Sequence, residues 1–259
     1  MGFTKAPSYI LPLLLVVLLP LIPVHASSQP SIPINGRYST LTIKIYIPPS
    51  PKWAHDVVLN ATIAWNRAQL WNLQNNPTAT LYTFLETDDG TATSTVSFTM
   101  PAAYAAIAVG WTTYKFTPGS RTSIASTQTY FTPTVFNDAQ AGNATAREYA
   151  FWLSLHELGR VLGLGSVLDG HDIMEPRYTP QRVTQVPRLS TLDLYAIHVL
   201  AQGSAPKFVT LPDGVQDQFT PVTTFLPIGP LHLRLDPPKQ EAFTFDSPKI
   251  LMRFHVFIT

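Results

Sequence analysis

The segment that decides the fold reads His156-Glu157-Leu158-Gly159-Arg160-Val161-Leu162-Gly163-Leu164-Gly165-Ser166, and Asp172-Ile173-Met174-Glu175-Pro176 follows it. Upstream, Thr145-Ala146-Arg147-Glu148 matches a capping box, and glycines occur just after the apolar run, so we predict a helix over 146–162. Residues four apart share one face of a helix. The segment therefore predicts a helix that carries His156 beside Arg160 and ends in a glycine turn.

This segment resembles the extended zinc motif of the metzincin peptidases, which is HExxHxxGxxH followed by a methionine turn. The short gap of 18 residues from His156 to Met174, and the stretch from Leu189 to Ile197 behind it, look like the matrixin branch of that family. The resemblance covers roughly residues 37 to 202. It implies an α/β metzincin-like catalytic-domain fold, with a twisted mixed sheet, long helices, an active-site helix and a Met-turn.

Four residues match the family pattern in type. By the resemblance, His156 is the first zinc ligand, Glu157 is the catalytic general base, Gly163 forms the turn and Met174 belongs to the Met-turn. In that motif the histidines hold the metal from one helical face, and the glutamate activates a water molecule for attack on a peptide bond. The implied activity is zinc-dependent cleavage of a polypeptide held in a cleft.

The two remaining ligand positions are degenerate, because the second holds Arg160 and the third holds Ser166. Arginine stays protonated and has no lone pair to offer a metal. A serine hydroxyl is a poor zinc ligand beside imidazole or carboxylate, and a catalytic zinc site normally has three protein ligands. We therefore expect zinc as cofactor if the protein is an active enzyme, otherwise none, and we expect the peptidase activity to be impaired or lost.

A rearranged site is the alternative. His171 lies 15 positions after His156 and is a candidate substitute ligand, with Glu157 still serving as the general base. Without a metal, the Glu157 carboxylate would need another cation, since an unpaired buried carboxylate is costly. Arg160 is three residues further along the same helix. We therefore predict that Arg160 pairs with Glu157 and with Asp172.

Three functions follow from these alternatives. The protein is a secreted matrixin-like homologue that holds an extended peptide in its cleft as a binding or regulatory module, or an active zinc endopeptidase with the rearranged site, or a structural surface protein whose tail mediates assembly. The expected partner is a polypeptide substrate or ligand. The sequence does not define the oligomeric state.

Secondary structure upstream and downstream agrees in order with this family. Apolar and polar residues alternate from Leu41 to Ile47, which predicts a strand. Ser50 and Pro51 then favour the start of an amphipathic helix that ends near Asn72. The region 80–136 is rich in Thr, Ser and aromatic residues and predicts several strands. A second capping box at 190–193 opens a helix that closes before residue 203.

The two ends of the chain differ from this central domain. Residues 1–26 carry Lys5, an apolar run from Ile10 to Val24 and a small-residue site ending in Ala26, which is typical of a secretory signal peptide. We therefore predict a signal peptide at 1–26, a domain at 27–202 and a secreted, extracellular protein. Residues 203–259 hold eight prolines and predict a Pro-rich tail or a small β appendage.

Composition excludes several classes of function. The chain has no cysteine, which excludes disulfide frameworks, thiolate metal sites and cysteine nucleophiles. It carries 17 basic and 16 acidic residues, and Lys5 belongs to the predicted leader. Nucleic-acid and anionic-membrane binders normally have a basic surplus. We therefore expect no nucleic-acid partner and no membrane partner after signal cleavage.

Overall fold

A computed structural model describes residues 30–75, 80–137, 142–168, 172–176 and 188–222, and for 71–75 it describes the backbone alone. The predicted signal peptide, the candidate ligand His171 and the tail beyond residue 222 lie outside these ranges. Within them, no helix combines the length and the apolar character needed to cross a membrane.

The elements alternate between short strands and helices along the chain. In order they are β1 (Ser31–Pro33), β2 (Arg37–Tyr38), β3 (Thr42–Tyr46), α1 (Lys52–Asn75), β4 (Thr83–Glu86), β5 (Ser94–Ser97), α2 (Ala102–Ala105), β6 (Gly110–Phe116), β7 (Ser123–Phe131), α3 (Ala144–Val161), β8 (Arg188–Ser190), α4 (Thr191–Ala201), β9 (Phe208–Thr210) and β10 (Phe219–Pro221).

The main sheet is mixed and mostly parallel. Its strands run in the order β4, β3, β5 and β7, and β2 also pairs with β7; all of these pairs are parallel. β6 pairs antiparallel with β7 along its whole length and is an edge of the sheet among the described strands. The prediction of a mixed α/β domain is confirmed, and so are the predicted strand near 41–47 and the strand-rich region that follows.

The long helices cover one face of this sheet. In β3 the side chains of Ile43 and Ile45 are buried, whereas Thr42 and Lys44, which alternate with them, are exposed. The helices α1 and α3 pack together over the buried face, where the indole nitrogen of Trp65 donates to the carbonyl of Leu155 at 2.9 Å. This packing fixes α3 against the sheet and, with it, the segment that carries the candidate site.

The two predicted capping boxes had different outcomes. At α4 the box is confirmed, since the Ser190 hydroxyl accepts from the Asp193 amide at 3.0 Å and the Asp193 carboxylate accepts from the Ser190 amide at 3.1 Å. At α3 it is wrong, because the helix begins earlier and Asn143 accepts from the Ala146 amide. Asparagine is as good an N-cap as serine, so the helix includes Thr145.

The described part of the tail adds two strands. β9 pairs antiparallel with β1, and β10 pairs antiparallel with β8. Two short strands within residues 203–222 therefore pair with strands that precede residue 203 in the chain.

Candidate functional site

A glycine turn ends helix α3 and reverses the chain toward Ser166. Gly163 has a φ of +99° and packs so tightly that a Cβ there would lie 2.0 Å from the Gly36 carbonyl oxygen. The Asn35 amide donates to the Gly163 carbonyl at 2.8 Å, and the Gly165 amide donates to the Pro33 carbonyl at 2.7 Å. Only glycine fits this conformation and this space, so the turn directs the chain back past the end of α3.

The three positions that the resemblance assigns to zinc ligands lie together in this structure and form a hydrogen-bonded chain. The Arg160 Nε donates to the Nε2 of His156 at 3.2 Å, and its Nη2 donates to the Ser166 hydroxyl. The other ring nitrogen of His156, Nδ1, lies 2.9 Å from the Ile173 carbonyl oxygen. Because one ring nitrogen accepts and the other faces an acceptor, the network assigns a neutral imidazole protonated on Nδ1.

Electrostatics favour that neutral imidazole. Burial, followed by the positive charge of Arg160, lowers the pKa of His156 from 6.5 to about 4, against the opposing effect of its bond to the Ile173 carbonyl. His156 is only 5% exposed. Among the three hydrogen-bonded residues, the Arg160 guanidinium is therefore the charged group at neutral pH.

The Glu157 side chain points away from these hydrogen-bonded residues, toward the edge strand β6. Its Oε2 accepts from the Thr112 hydroxyl at 2.6 Å, and a Cβ at Gly110 would lie 2.9 Å from its Oε1. Burial raises the pKa of Glu157 from 4.5 to about 7, although the Thr112 bond and then the Arg160 charge act in the opposite direction. The carboxyl group therefore lies between the last turns of α3 and β6 and exchanges a proton near neutral pH.

Met174 lies in the turn formed by residues 172–176 and is fully buried against the helix. A Cβ at Gly159 would lie 2.4 Å from the Met174 sulfur and 3.1 Å from the Trp65 ring. The Asp172 carboxylate accepts from the Met174 amide at 2.6 Å, and the Met174 carbonyl accepts from the Val167 amide at 3.0 Å. These bonds hold the turn, including the Ile173 carbonyl that His156 faces, against the end of α3.

A second buried carboxyl group lies behind the same turn. Asp193 is fully buried in α4, and burial, followed by the nearby Asp172 carboxylate, raises its pKa well above the ordinary value. Its Oδ2 caps the helix, while its Oδ1 has no hydrogen-bond partner in the described ranges. Burial and the neighbouring Asp172 carboxylate therefore both favour the protonated form of Asp193.

The described residues of this site do not fit a catalytic zinc ion. The Nε2 lone pair of His156 already accepts from the Arg160 guanidinium, which would place a positive charge beside the dication. No group of three or more His, Asp or Glu side chains suited to a metal occurs among the residues that the structure describes. A catalytic zinc site normally needs three such ligands.

The predicted pairing of Arg160 with Glu157 is not observed. No ion pair joins the two in the described part of the chain, because Arg160 bonds to His156 and Ser166 while Glu157 bonds to Thr112. Sequence reasoning also missed Thr112, which was one threonine in a threonine-rich strand. Its inward position on β6 is readable from the alternation of that strand, but its partner is not.

Comparison with known proteins adds no further assignment, since no protein-family model and no curated protein matches this sequence.

Proposed function

We propose that this protein is a secreted matrixin-like metallopeptidase homologue that lacks zinc-dependent peptidase activity and acts as a peptide-binding or regulatory module. One observation carries the proposal. The Arg160 guanidinium bridges His156 and Ser166, so a cation built into the chain links the three positions at which the family holds zinc. Permanent charge and hydrogen-bond donors replace metal coordination there.

The arrangement around the helix supports the proposed kinship. A mixed sheet precedes a long helix that bears His156 and Glu157 and that ends at a glycine in a left-handed conformation. A buried methionine in the following turn then packs under the same helix. These features occur in the order that the resemblance implies, and they place the His-Glu pair beside a sheet edge.

The edge strand β6 supports the peptide-binding part of the proposal. In the ranges that the structure describes, β6 pairs with β7 and with no strand on its other side. An unpaired edge presents backbone N–H and C=O groups that an extended peptide pairs with by strand addition. The peptide would lie alongside the end of α3, because Tyr114 of β6 donates to the Arg160 carbonyl at 2.9 Å.

Zinc stoichiometry tests the proposal. The chain is secreted with its own leader, loaded with excess zinc and dialysed against a weak chelator, beside an Arg160→His, Ser166→His double variant. We expect the parent to retain no zinc and the double variant to retain about one zinc per chain. An Arg147→His variant, which adds a histidine on the exposed start of α3, is the matched control and should retain none.

Two outcomes contradict the proposal. A parent that retains one zinc per chain and cleaves an unfolded protein in a chelator-sensitive manner is an active peptidase, with His171 as the first substitute ligand to test. A double variant that folds but retains no zinc would argue against the matrixin-like scaffold.

A further inference from the structure

We infer that Arg160 is a receptor for a carboxylate group of the peptide held along β6. The inference rests on the proposed function, because it names the chemical group that the proposed cleft recognises. Arg160 occupies a position that holds a zinc ligand in the family. We infer that it binds an anion there through the N–H donors of its planar guanidinium group.

The first argument is the fixed orientation of the guanidinium. Nε donates to His156 and Nη2 donates to Ser166, so two bonds on different nitrogens hold the plane of the group. The Tyr114 hydroxyl holds the Arg160 carbonyl, and Asn35 in turn donates to that hydroxyl at 3.0 Å. A guanidinium has five N–H donors. His156 and Ser166 use two of these donors, and the remaining ones, which include both N–H groups of Nη1, have fixed positions from which a carboxylate can accept.

The second argument is charge. Arg160 is only partly exposed, and in the described ranges no carboxylate lies within ion-pair distance of it. Its two side-chain acceptors are an imidazole and a hydroxyl. The nearest acidic residue on the helix, Glu157, is bonded to Thr112 instead. A partly desolvated cation without a counterion is unfavourable, so an incoming carboxylate gains more here than at a solvated arginine.

The position of the cation argues for a peptide rather than a free ion. Tyr114, whose hydroxyl donates to the backbone carbonyl of Arg160, belongs to β6, and the edge of β6 that faces away from β7 lacks a strand in the described residues. A peptide paired with that edge passes the end of α3. Such a peptide therefore brings a carboxylate to Arg160. That carboxylate belongs either to the C-terminus of the peptide or to an acidic side chain within it.

Side-chain NMR of the intact protein tests this inference. The Nε–H signal of Arg160 is assigned by its loss in Arg160→Lys. Three probes are then titrated: N-acetyl trialanine with a free carboxylate, the same peptide as its amide, and an amidated acetyl peptide with one central aspartate. We expect saturable shifts with at least one acidic probe and binding of the amide about tenfold weaker or more, as for loss of a charged hydrogen-bonded pair. Preference for the free acid or for the aspartate peptide identifies the source.

Binding of the uncharged amide as tight as that of the better acidic probe, or no binding of any probe, would overturn the inference. Arg160→Gln should reduce binding of the preferred acidic probe about tenfold or more, while Arg147→Gln, at an exposed arginine on the same helix, should leave it unchanged. If Arg160→Gln fails to fold, the comparison of the better acidic probe with the uncharged amide on the parent decides alone. If the carboxylate probes fail to bind but the parent retains no zinc, only this inference is contradicted. If the parent retains zinc, the proposed function is contradicted.

Discussion

The two sides of the last turns of α3 differ in how strictly their residues are constrained. On the packing side, Gly159 lies against the Met174 side chain, and Gly163 lies against the Gly36 backbone, which leaves no room for a methyl group at residue 163. On the polar side, Arg160 donates hydrogen bonds to two uncharged groups, the His156 ring and the Ser166 hydroxyl. The packing side accepts only glycine at residue 163, while the polar side consists of side-chain hydrogen bonds between Arg160, His156 and Ser166. Fold and chemistry are therefore separable at this helix.

The largest effect is expected on the packing side, at Gly163→Ala. A non-glycine residue at a φ of +99° is strained, and the added methyl would meet a backbone carbonyl that cannot rotate away. We expect a loss of about 4 kcal/mol in the free energy of unfolding, from strain and overpacking together. Urea unfolding followed by tryptophan fluorescence measures it.

Gly119→Ala is the matched control for that variant. Gly119 has a φ of +81°, but nothing lies within 4 Å of an added Cβ, so only the strain remains, at about 1 kcal/mol. Equal losses at the two glycines would mean that the contact with Gly36 does not constrain the turn.

The next effect is on the polar side, where Glu157 makes stability depend on pH. Its pKa is raised in the folded state, from 4.5 to about 7, so the folded protein holds the proton more tightly than the unfolded chain does. That contribution is fully present below pH 4.5 and is lost as the pH rises through 7. The change corresponds to about 3 kcal/mol.

Glu157→Gln removes this titration while keeping an acceptor for Thr112. The variant should gain about 3 kcal/mol relative to the parent between pH 4.5 and pH 8.5, measured by urea unfolding at each pH. The low pKa of His156 affects both proteins equally and cancels in the difference. Glu148→Gln, at an exposed position of the same helix, should show no such gain. A parent and variant with parallel pH profiles would mean that the Glu157 pKa is not raised.

Much of the fold could be predicted from the sequence, because local patterns determine where its helices, strands and turns lie. Alternation over 41–47 predicted β3, and the box at Ser190 predicted the start of α4, since both depend on residues within a few positions of one another. The turn at Gly163 was predicted for the same reason. The start of α3 was not, because two capping signals lie close together and Asn143 is the one whose side chain meets a free amide.

The partners on the polar side could not be predicted in the same way. Arg160 and Glu157 are close in the helix sequence, as the prediction assumed. Each of them nevertheless bonds to a residue outside the helix or to another residue of it, and helix spacing does not reveal those partners. Thr112 is 45 positions from Glu157, and Ser166 returns to Arg160 only through the glycine turn. Hydrogen bonds of this kind depend on how β6 and the turn pack on α3.

The smallest effect is expected at Thr112, the hydrogen-bond partner of Glu157 on β6. Thr112→Val keeps the shape of the side chain but removes the hydroxyl that donates to Glu157. This bond favours the ionised carboxylate, so its loss should raise the Glu157 pKa further and cost more stability at pH 8.5, where the carboxylate is charged, than at pH 5. We expect the two losses to differ by about 1 kcal/mol.

Thr113→Val tests whether that difference comes from Glu157. The Thr113 hydroxyl donates to the Gln128 carbonyl at 3.2 Å on the opposite face of the same strand, so its replacement changes strand stability without touching the carboxyl group. Its cost should therefore be the same at pH 5 and pH 8.5. If Thr112→Val also costs the same at both values, the Thr112 bond does not distinguish the charged from the neutral carboxyl group, and β6 contributes to the polar side through packing alone.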